Sequence, residues 1–359
     1  MEPLKNWYNN QFINDLGANV KLAYPEFKKD AFLASFSEYK WDELELKQRS
    51  RAIVYQLGAF LPEFEYAVEV LNKVAPKYDG YTGVIFPEFV QVFGLNHLEL
   101  SLKTLEWITR FSTAEFAIRP FIMNYEKETM AQMKKWAKHE NYHVRRLASE
   151  GCRPRLPWGV SLPMYKKDPS IIIPILELLK EDEEDYVYRS VANNLNDISK
   201  DHPELVLGVC NKWKSIDNKG TKWLIKHACR GLLKNGNVKA LAIFGFEKPL
   251  NIEVHNLITE QSELKIGEET FFSFDVENQS IKDQKLRLEY RVYYVKSNGS
   301  LSPKVFQIKE FVLNSNSKES IKRKISFENR TTRKHYPGRH KLVVVVNGVE
   351  VCETSLVVR

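Results

Sequence analysis

The chain has 359 residues, of which 53 are Lys or Arg and 46 are Asp or Glu, so its formal net charge is +7. Hydrophobic residues make up 43% and aromatic residues 12%, a composition that excludes a collagen, a mucin-like stalk and a largely disordered chain. The length suggests two or three domains, and the modest positive charge permits a polyanionic partner without requiring one.

The N-terminal residues lack the apolar core of a signal peptide, and no apolar run approaches the roughly 18 residues of a membrane span. The four cysteines form no CxxC pair, so their spacing indicates neither a zinc site nor a disulfide framework. We therefore predict a cytoplasmic, monomeric protein that does not act at a membrane and needs neither a metal ion nor an organic cofactor.

Residues 1–248 are predicted to form an all-α, HEAT-like solenoid. This region contains a weak internal repeat, and each copy has a branched residue, a basic residue and a closely packed alanine. The alanines of the three copies are Ala148, Ala192 and Ala228. Two-helix units of this kind stack on one another, and the stack presents an extended binding surface. The irregular spacing of the copies gives moderate support for this architecture.

Basic residues cluster in two stretches of this helical part. Residues 134–158 contain seven Lys or Arg and two acidic residues, and residues 211–240 contain eight Lys or Arg and one acidic residue. Basic residues repeated along a solenoid would line one face with phosphate contacts. For any single residue a solvated surface position is the better interpretation, but the clustering favours a nucleic acid over protein partners.

Residues 249–359 are predicted to form an all-β, immunoglobulin-like sandwich. From Phe272 to Glu277 apolar and polar residues alternate, and later segments are rich in Val, Tyr, Phe and Ile. Asn347-Gly348 lies between two β-branched runs, which is a strong signal for a hairpin turn. Six or seven short strands in about 110 residues fit a sandwich of this type.

Two segments of the helical part carry a family resemblance, at residues 143–159 (HVRRLASEGCRPRLPWG) and 111–121 (FSTAEFAIRPF). They resemble signature segments of the AlkC branch of the AlkC/AlkD DNA alkylation repair glycosylases. Some members of that branch also carry a C-terminal immunoglobulin-like domain, which agrees with the change of pattern after residue 248. Cys152 departs from the family pattern, in which Thr or another small residue is expected.

The resemblance implies base excision repair of double-stranded DNA, by removal of cationic N-methylated bases such as N3-methyladenine and N3-methylcytosine. Glu115 and Glu150 match the family's active-site carboxylates, and Trp158 matches the aromatic residue that reaches toward the lesion. It also implies that the lesion stays largely in the duplex, whereas most glycosylases rotate it into a pocket. No lysine stands out as a Schiff-base nucleophile, so we predict a monofunctional glycosylase.

These residue types suit that chemistry. A cationic base leaves as a neutral molecule, so the enzyme has to stabilise an oxocarbenium-like sugar and activate a water, and carboxylates do both. An indole face beside a cationic base adds about 0.5–2 kcal/mol of cation–π attraction.

Each of the three residues also has a structural interpretation. Glu115 could pair with Arg119 four residues later on a helix surface, and Glu150 could be an ordinary last-turn residue before a Gly cap. Trp158 could anchor its loop. The resemblance favours the functional interpretation for all three.

The DNA-binding candidates are basic. Arg146 and Arg153 are the preferred phosphate contacts, although either could instead form a structural ion pair. The remaining candidates are Arg155, Arg189, Lys222, Lys226 and Arg230.

In the C-terminal region, Lys322-Arg323-Lys324 and the segment from Arg330 to His335 are predicted to form basic edge loops. They could close on DNA as a clamp, and a merely solubilising domain is an equal alternative. For the whole protein, the main alternative to a glycosylase is a non-catalytic HEAT-solenoid protein that binds damaged or branched DNA.

Overall fold

The computed structural model of the chain describes residues 3–329 and 333–359. Within these residues the α-helices are α1 (Asn10–Ala23), α2 (Lys29–Ala34), α3 (Leu46–Phe60), α4 (Phe64–Val74), α5 (Ile85–Phe93), α6 (Leu98–Ile108), α7 (Ile118–Asn124), α8 (Glu126–Trp136), α9 (Tyr142–Glu150), α10 (Pro163–Lys167), α11 (Ile173–Leu178), α12 (Asp185–Ile198), α13 (Pro203–Trp213), α14 (Lys219–Ala228), α15 (Arg230–Lys234) and α16 (Val238–Ile243). Short 3-10 helices lie at Leu4–Trp7, Ser35–Glu38, Trp41–Glu43, Ala75–Lys77 and Thr82–Val84. None of the helices described here is both long enough and apolar enough to cross a bilayer.

The strands follow the helices. They are β1 (Ile252–Thr259), β2 (Glu263–Leu264), β3 (Glu269–Asn278), β4 (Gln284–Val295), β5 (Leu301–Leu313), β6 (Ser317–Ser326), β7 (Gly338–Val346) and β8 (Val349–Val358). The predicted order, a helical N-terminal region followed by an immunoglobulin-like β-domain, is confirmed.

The chain divides into two compact units. The first contains Met1–Val206 and Ser215–Ala228, and the second contains Leu207–Lys214 and Cys229–Arg359. The second unit therefore includes the short helices α15 and α16 as well as the strands. The sequence-based domain boundary at residue 248 falls between α16 and β1, and it stays a prediction.

The helices of the first unit begin and pack as their sequences dictate. The side chain of Asn141 caps α9 by accepting a hydrogen bond from the His143 amide. Helix α12 packs against both α9 and α14, and the repeat alanines Ala148, Ala192 and Ala228 are fully buried. The predicted repeat thus corresponds to three helices stacked side by side.

The strands of the second unit form two sheets. One has the order β1-β3-β6 and the other the order β2-β8-β7-β4-β5, and β2 is parallel to β8 whereas the other pairs are antiparallel. Alternate residues of β3 and β4 point into the shared core, for example Phe272, Phe274 and Leu288.

The predicted hairpin turn is present between β7 and β8. Asn347 and Gly348 both have positive φ angles, 47° and 81°, as a type I′ turn requires. Gly348 touches the turn between α15 and α16, where a Cβ on Gly348 would lie 2.9 Å from the Cα of Gly236. The Asn347 amide also donates to the Glu247 carbonyl at 2.7 Å, so the hairpin is fixed to the chain that precedes β1.

One expectation about this unit is wrong. Lys322, Arg323 and Lys324 lie in the edge strand β6 and not in a loop. Lys322 pairs with Glu260 and Lys324 with Glu269, at 2.5 and 2.9 Å. Exposed lysines on an edge strand discourage pairing with another chain, which gives these residues a structural role. Arg330, in the second predicted basic loop, lies outside the described residues.

Candidate functional site

Glu115 lies in the turn between α6 and α7, and its side chain is largely buried. Its carboxylate accepts a hydrogen bond from the Thr113 hydroxyl at 2.9 Å and forms an ion pair with Arg146. The side chain of Arg119 donates to the backbone carbonyls of Gly151 and Val160, so Arg119 serves the loop after α9. The alternative interpretation of Glu115, a helix-surface pair with Arg119, is therefore not what the structure shows, because Glu115 pairs with the more distant Arg146.

Glu150 is the last residue of α9 and is 5% exposed. One carboxylate oxygen accepts from Arg153 at 2.6 Å, and the other accepts from the Ser190 hydroxyl at 2.7 Å. The following residue, Gly151, has no room for a side chain, because a Cβ there would lie 2.6 Å from Ile118. The close approach of α7 to the end of α9 thus holds Glu150 in place.

Arg146 joins the two carboxylates. Its Nη1 contacts Glu115, and its Nη2 lies 3.6 Å from Glu150. Burial alone would lower the pKa of Arg146, but the two carboxylates outweigh burial and raise it. Residues 35 positions apart in the sequence, Glu115 and Glu150, are therefore brought to opposite sides of one charged guanidinium group.

Arg153 forms a second layer of this cluster. It bridges Glu150 and Asp197, whose carboxylate lies 2.9 Å from its Nε. Burial lowers the pKa of Arg153, and the two carboxylates together raise it above its usual value. Both arginines that the sequence favours as phosphate contacts thus have buried carboxylate partners in this structure.

Three aromatic side chains lie beside the carboxylate–arginine cluster. The Tyr186 ring lies 4.6 Å from the Arg146 guanidinium, and His143 and Tyr142 lie against Tyr186. Burial, reinforced by the charge of Arg146, lowers the pKa of His143. The sequence does not mark Tyr186 as a functional residue, although Tyr186 occupies the same repeat position in α12 as Tyr142 does in α9.

Trp158 projects from the loop after α9 and is 59% exposed. Its φ angle is +63°, a left-handed conformation that is unusual for a bulky residue and is found most often where function demands it. The Lys47 amine donates to its carbonyl, and the Tyr81 ring lies 6.0 Å away. Sequence reasoning missed Lys47, because no local pattern distinguishes it on α3.

A cavity of about 490 Å³ lies beside this loop, inside the first unit. Thr113, which binds Glu115, lines it together with Lys47, Tyr81, Phe116 and Trp158. The cavity and the carboxylate cluster are therefore contiguous.

Cys152 does not disturb this site. Its side chain is fully buried, and burial raises the pKa of its thiol to about 12. The departure from the family pattern therefore introduces an unreactive group.

The remaining basic candidates lie further out. Arg155 pairs with Asp201, Arg189 with Asp185 and Lys222 with Asp217, at 2.5–2.6 Å, and all six side chains are at least 29% exposed. Arg189 also lies 5.0 Å from the Trp223 ring. Lys226 lies in α14, in the first unit, and Arg230 begins α15, in the second. Their role in DNA binding stays a prediction.

Comparisons with known proteins identify the family of this chain. Residues 94–232 match the family described as "DNA alkylation repair enzyme", and residues 253–359 match "Uncharacterised protein YhaZ, C-terminal Ig-like domain". An uncharacterised Bacillus subtilis protein, YhaZ, is 46% identical, and the match covers 97% of each chain. The solved Pseudomonas fluorescens alkylpurine DNA glycosylase AlkC, bound to DNA containing an abasic site analog, is 36% identical over 100% of both chains, with a TM-score of 0.95. The chain belongs to the AlkC-type family of DNA alkylation repair proteins.

Proposed function

We propose that this chain is a monofunctional DNA glycosylase that removes alkylated bases from double-stranded DNA. The observation that carries the proposal is the joining of Glu115 and Glu150 through Arg146, next to the exposed ring of Trp158. The similarity to AlkC over the whole chain supports an alkylpurine DNA glycosylase.

The cluster can perform this reaction. Cleavage of the bond between sugar and base leaves positive charge on the deoxyribose, and two fixed carboxylates stabilise that charge. A water adds to the sugar carbon and transfers its proton to one of the carboxylates. The electron pair of the broken bond goes to the base, and this cancels the charge of the methylated ring. Trp158 would bind the cationic ring before cleavage, through cation–π attraction of about 0.5–2 kcal/mol.

Stability alone does not explain such a cluster. Buried ion pairs carry a desolvation cost that often exceeds their Coulombic gain, and apolar residues of similar size are commonly as stable. Arg146 and Arg153 form ion pairs with Glu115 and Glu150 inside the protein, and these contacts orient both carboxylates. We infer that both arginines position the carboxylates. The cavity and the exposed Trp158 beside these carboxylates argue against the alternative of a non-catalytic binding protein.

Finer features of the function belong to the same proposal. The substrates would be N3-methyladenine and N3-methylcytosine, with the lesion kept largely in the duplex, in a cytoplasmic enzyme. Arg155, Arg189, Lys222, Lys226 and Arg230 would bind backbone phosphates. The β-domain would either contact DNA or solubilise the chain.

The proposal is tested by incubating the purified chain with methylated duplex DNA and measuring free bases by mass spectrometry. We expect release of N3-methyladenine and N3-methylcytosine, with DNA strands that break only after alkali treatment. Unmethylated duplex is the control. Binding to abasic DNA without any base release would support the non-catalytic alternative and overturn the proposal.

A further inference from the structure

The cavity next to the carboxylate cluster is large enough to bind a small molecule. Its volume of about 490 Å³ lies within the range of about 300–1,000 Å³ that is typical of small-molecule sites. Thr113 connects the two: its hydroxyl donates to Glu115 at 2.9 Å, and it also lines the cavity. A small molecule formed at Glu115 would therefore enter this space directly.

The walls suit a flat ring. Six aromatic residues line the cavity, namely Tyr8, Tyr39, Tyr55, Tyr81, Phe116 and Trp158. The residues Tyr55, Tyr81 and Trp158 are 51%, 38% and 59% exposed, so part of their surface is available for stacking. Aromatic surfaces stack on nucleobases with little dependence on the sequence, because every base presents a flat π-face.

The charges of the cavity disfavour a cation. The Lys47 amine lies 4.7 Å from the Phe116 ring, and the Arg51 guanidinium lies 6.0 Å from the Tyr55 ring, so the protein's own cations occupy these aromatic faces. Glu88 is the lining carboxylate, and it is bound by Ser50 and by Arg51, at 2.7 Å from the Arg51 Nε. Lys47, Arg51 and Glu88 together carry one excess positive charge.

We propose that this cavity binds the excised, uncharged nucleobase, a methylated purine, after it leaves the DNA. This inference rests on the proposed function, because the base changes charge at the moment of cleavage. Lys47 and Arg51 keep the cationic lesion out of the cavity interior, so the lesion stays in the duplex and meets only the exposed ring of Trp158 at the cavity's edge. After cleavage, the neutral product stacks on the aromatic walls inside. The cavity is thus selective for product over substrate, and it withdraws the free base from the sugar it has left.

A substitution at Gln91 can fill the cavity with a larger side chain. Gln91 lies on α5, is half-buried and lines the cavity, and it makes no contact with Glu115 or Glu150 that the structure records. Gln91→Trp should fill the space, and Gln91→Ala at the same position is the matched control that leaves it open. Circular dichroism and affinity for abasic DNA check that both variants fold.

The experiment has two arms. In the first, calorimetry follows binding of free N3-methyladenine at a mildly alkaline pH, where the base is uncharged, with N-methylpyridinium as a flat cationic comparator. In the second, the same free base is added as an inhibitor of base release from methylated DNA. We expect Gln91→Trp to weaken both binding and inhibition by at least about tenfold, or 1.4 kcal/mol, while Gln91→Ala stays within about threefold of the wild type. The cation should bind at least about tenfold more weakly than the base.

The outcomes separate this inference from the proposed function. Equal inhibition of both variants, or no binding of the base to an active enzyme, would overturn the cavity assignment alone. Slower single-turnover cleavage by Gln91→Trp would mean that the lesion itself enters the cavity, and it would also overturn the assignment. A chain that releases no base at all contradicts the proposed function, and the calorimetric arm, which needs no turnover, would still test the cavity.

Discussion

Each unit of this chain buries an arginine between two carboxylates, and the two clusters are built differently. In the β-domain, Arg287 binds Glu289 at 2.7 Å and Glu310 at 2.5 Å. Arg287 and Glu310 are cross-strand partners on β4 and β5, so the cluster is assembled by the register of neighbouring strands. In the helical unit, Arg146 binds carboxylates from two separate segments, beside a cavity and an exposed tryptophan.

The comparison teaches that a buried ion cluster is not by itself a functional site. Burial raises the pKa of Glu289, although Arg287 opposes this effect, and the group serves the sheet that contains it. What distinguishes the helical cluster is the open space next to it and the strained, exposed Trp158. Perturbing the two clusters in parallel should therefore give different results.

The largest expected difference is between Glu150→Gln and Glu289→Gln. Glu150→Gln should lower the rate of base release at least about 100-fold, because it removes negative charge from the reacting sugar. Affinity for abasic DNA should change less than about threefold, because the change leaves the outer basic residues intact. Single-turnover kinetics and an electrophoretic binding assay measure both.

Glu289→Gln is the matched control for that change. It should lower the free energy of unfolding by about 1–3 kcal/mol, because Arg287 loses a buried charged partner, with base release per folded molecule unchanged. A loss of activity at full stability would show that the β-domain cluster also takes part in the reaction.

Arg146→Lys should have the next largest effect. Lysine keeps the charge but cannot contact two carboxylates with a planar fork, so base release should fall by about 10–100-fold. A positioning role predicts that DNA affinity and its salt dependence remain unchanged. A shallower salt dependence with unchanged turnover per bound complex would instead support the phosphate contact that the sequence predicts.

Trp158→Ala should have a smaller and more selective effect. Loss of the cation–π contact corresponds to about a 2–30-fold loss of preference for a cationic lesion over an unmodified base. Trp158→Phe should retain part of the preference, because a phenyl ring is a weaker π-donor. Competition between methylated and unmethylated duplexes measures the preference, and equal preferences in all three proteins would contradict the role of Trp158.

The smallest expected effect is a loss of stability of the β-domain at acidic pH. His340 is fully buried, and burial lowers its pKa below the ordinary value of 6.5. His335 is next to it, with its own pKa lowered by burial and by Arg333. The unfolded chain therefore binds more protons below about pH 6.5, so stability is complete above that pH and declines as the pH falls, by at most about 1.4 kcal/mol per pH unit for each group.

Thermal unfolding of wild type and His340→Gln between neutral and mildly acidic pH tests this expectation. The variant should unfold at a lower temperature at neutral pH but lose less stability on acidification. An identical pH dependence in the two proteins would exclude His340 as a source of acid sensitivity.

Much of the fold could be predicted because its signals are local. Alternating residues predict β3, a high content of Val, Tyr, Phe and Ile predicts β4, and Asn347-Gly348 predicts the β7–β8 turn. Strand β6 was missed because its buried residues Ile321 and Ile325 are four apart, with charged residues between them. In a strand with one face against the core, such sparse apolar residues resemble a polar loop.

The candidate site was predictable only in part. Family resemblance identified Glu115 and Glu150, and the structure brings them to one guanidinium, while their catalytic role stays a prediction. The partners Ser190 and Asp197 lie about 40 or more residues from the groups they bind. Helical periodicity indicates which face of a helix is buried, but it does not indicate which side chain from another helix contacts that face. Lys47 was missed for the same reason.

The contact between Gly236 and Gly348 has a practical consequence for anyone who wishes to express the immunoglobulin-like part alone. A fragment that starts at residue 249 would lack the helical turn against which the hairpin rests, together with the Glu247 carbonyl that receives the Asn347 amide. The backbone at the tip of the hairpin would then be exposed to water. A fragment that starts before Leu207 contains every segment of the second unit and keeps both contacts, so the cut belongs well upstream of the change from helix to strand.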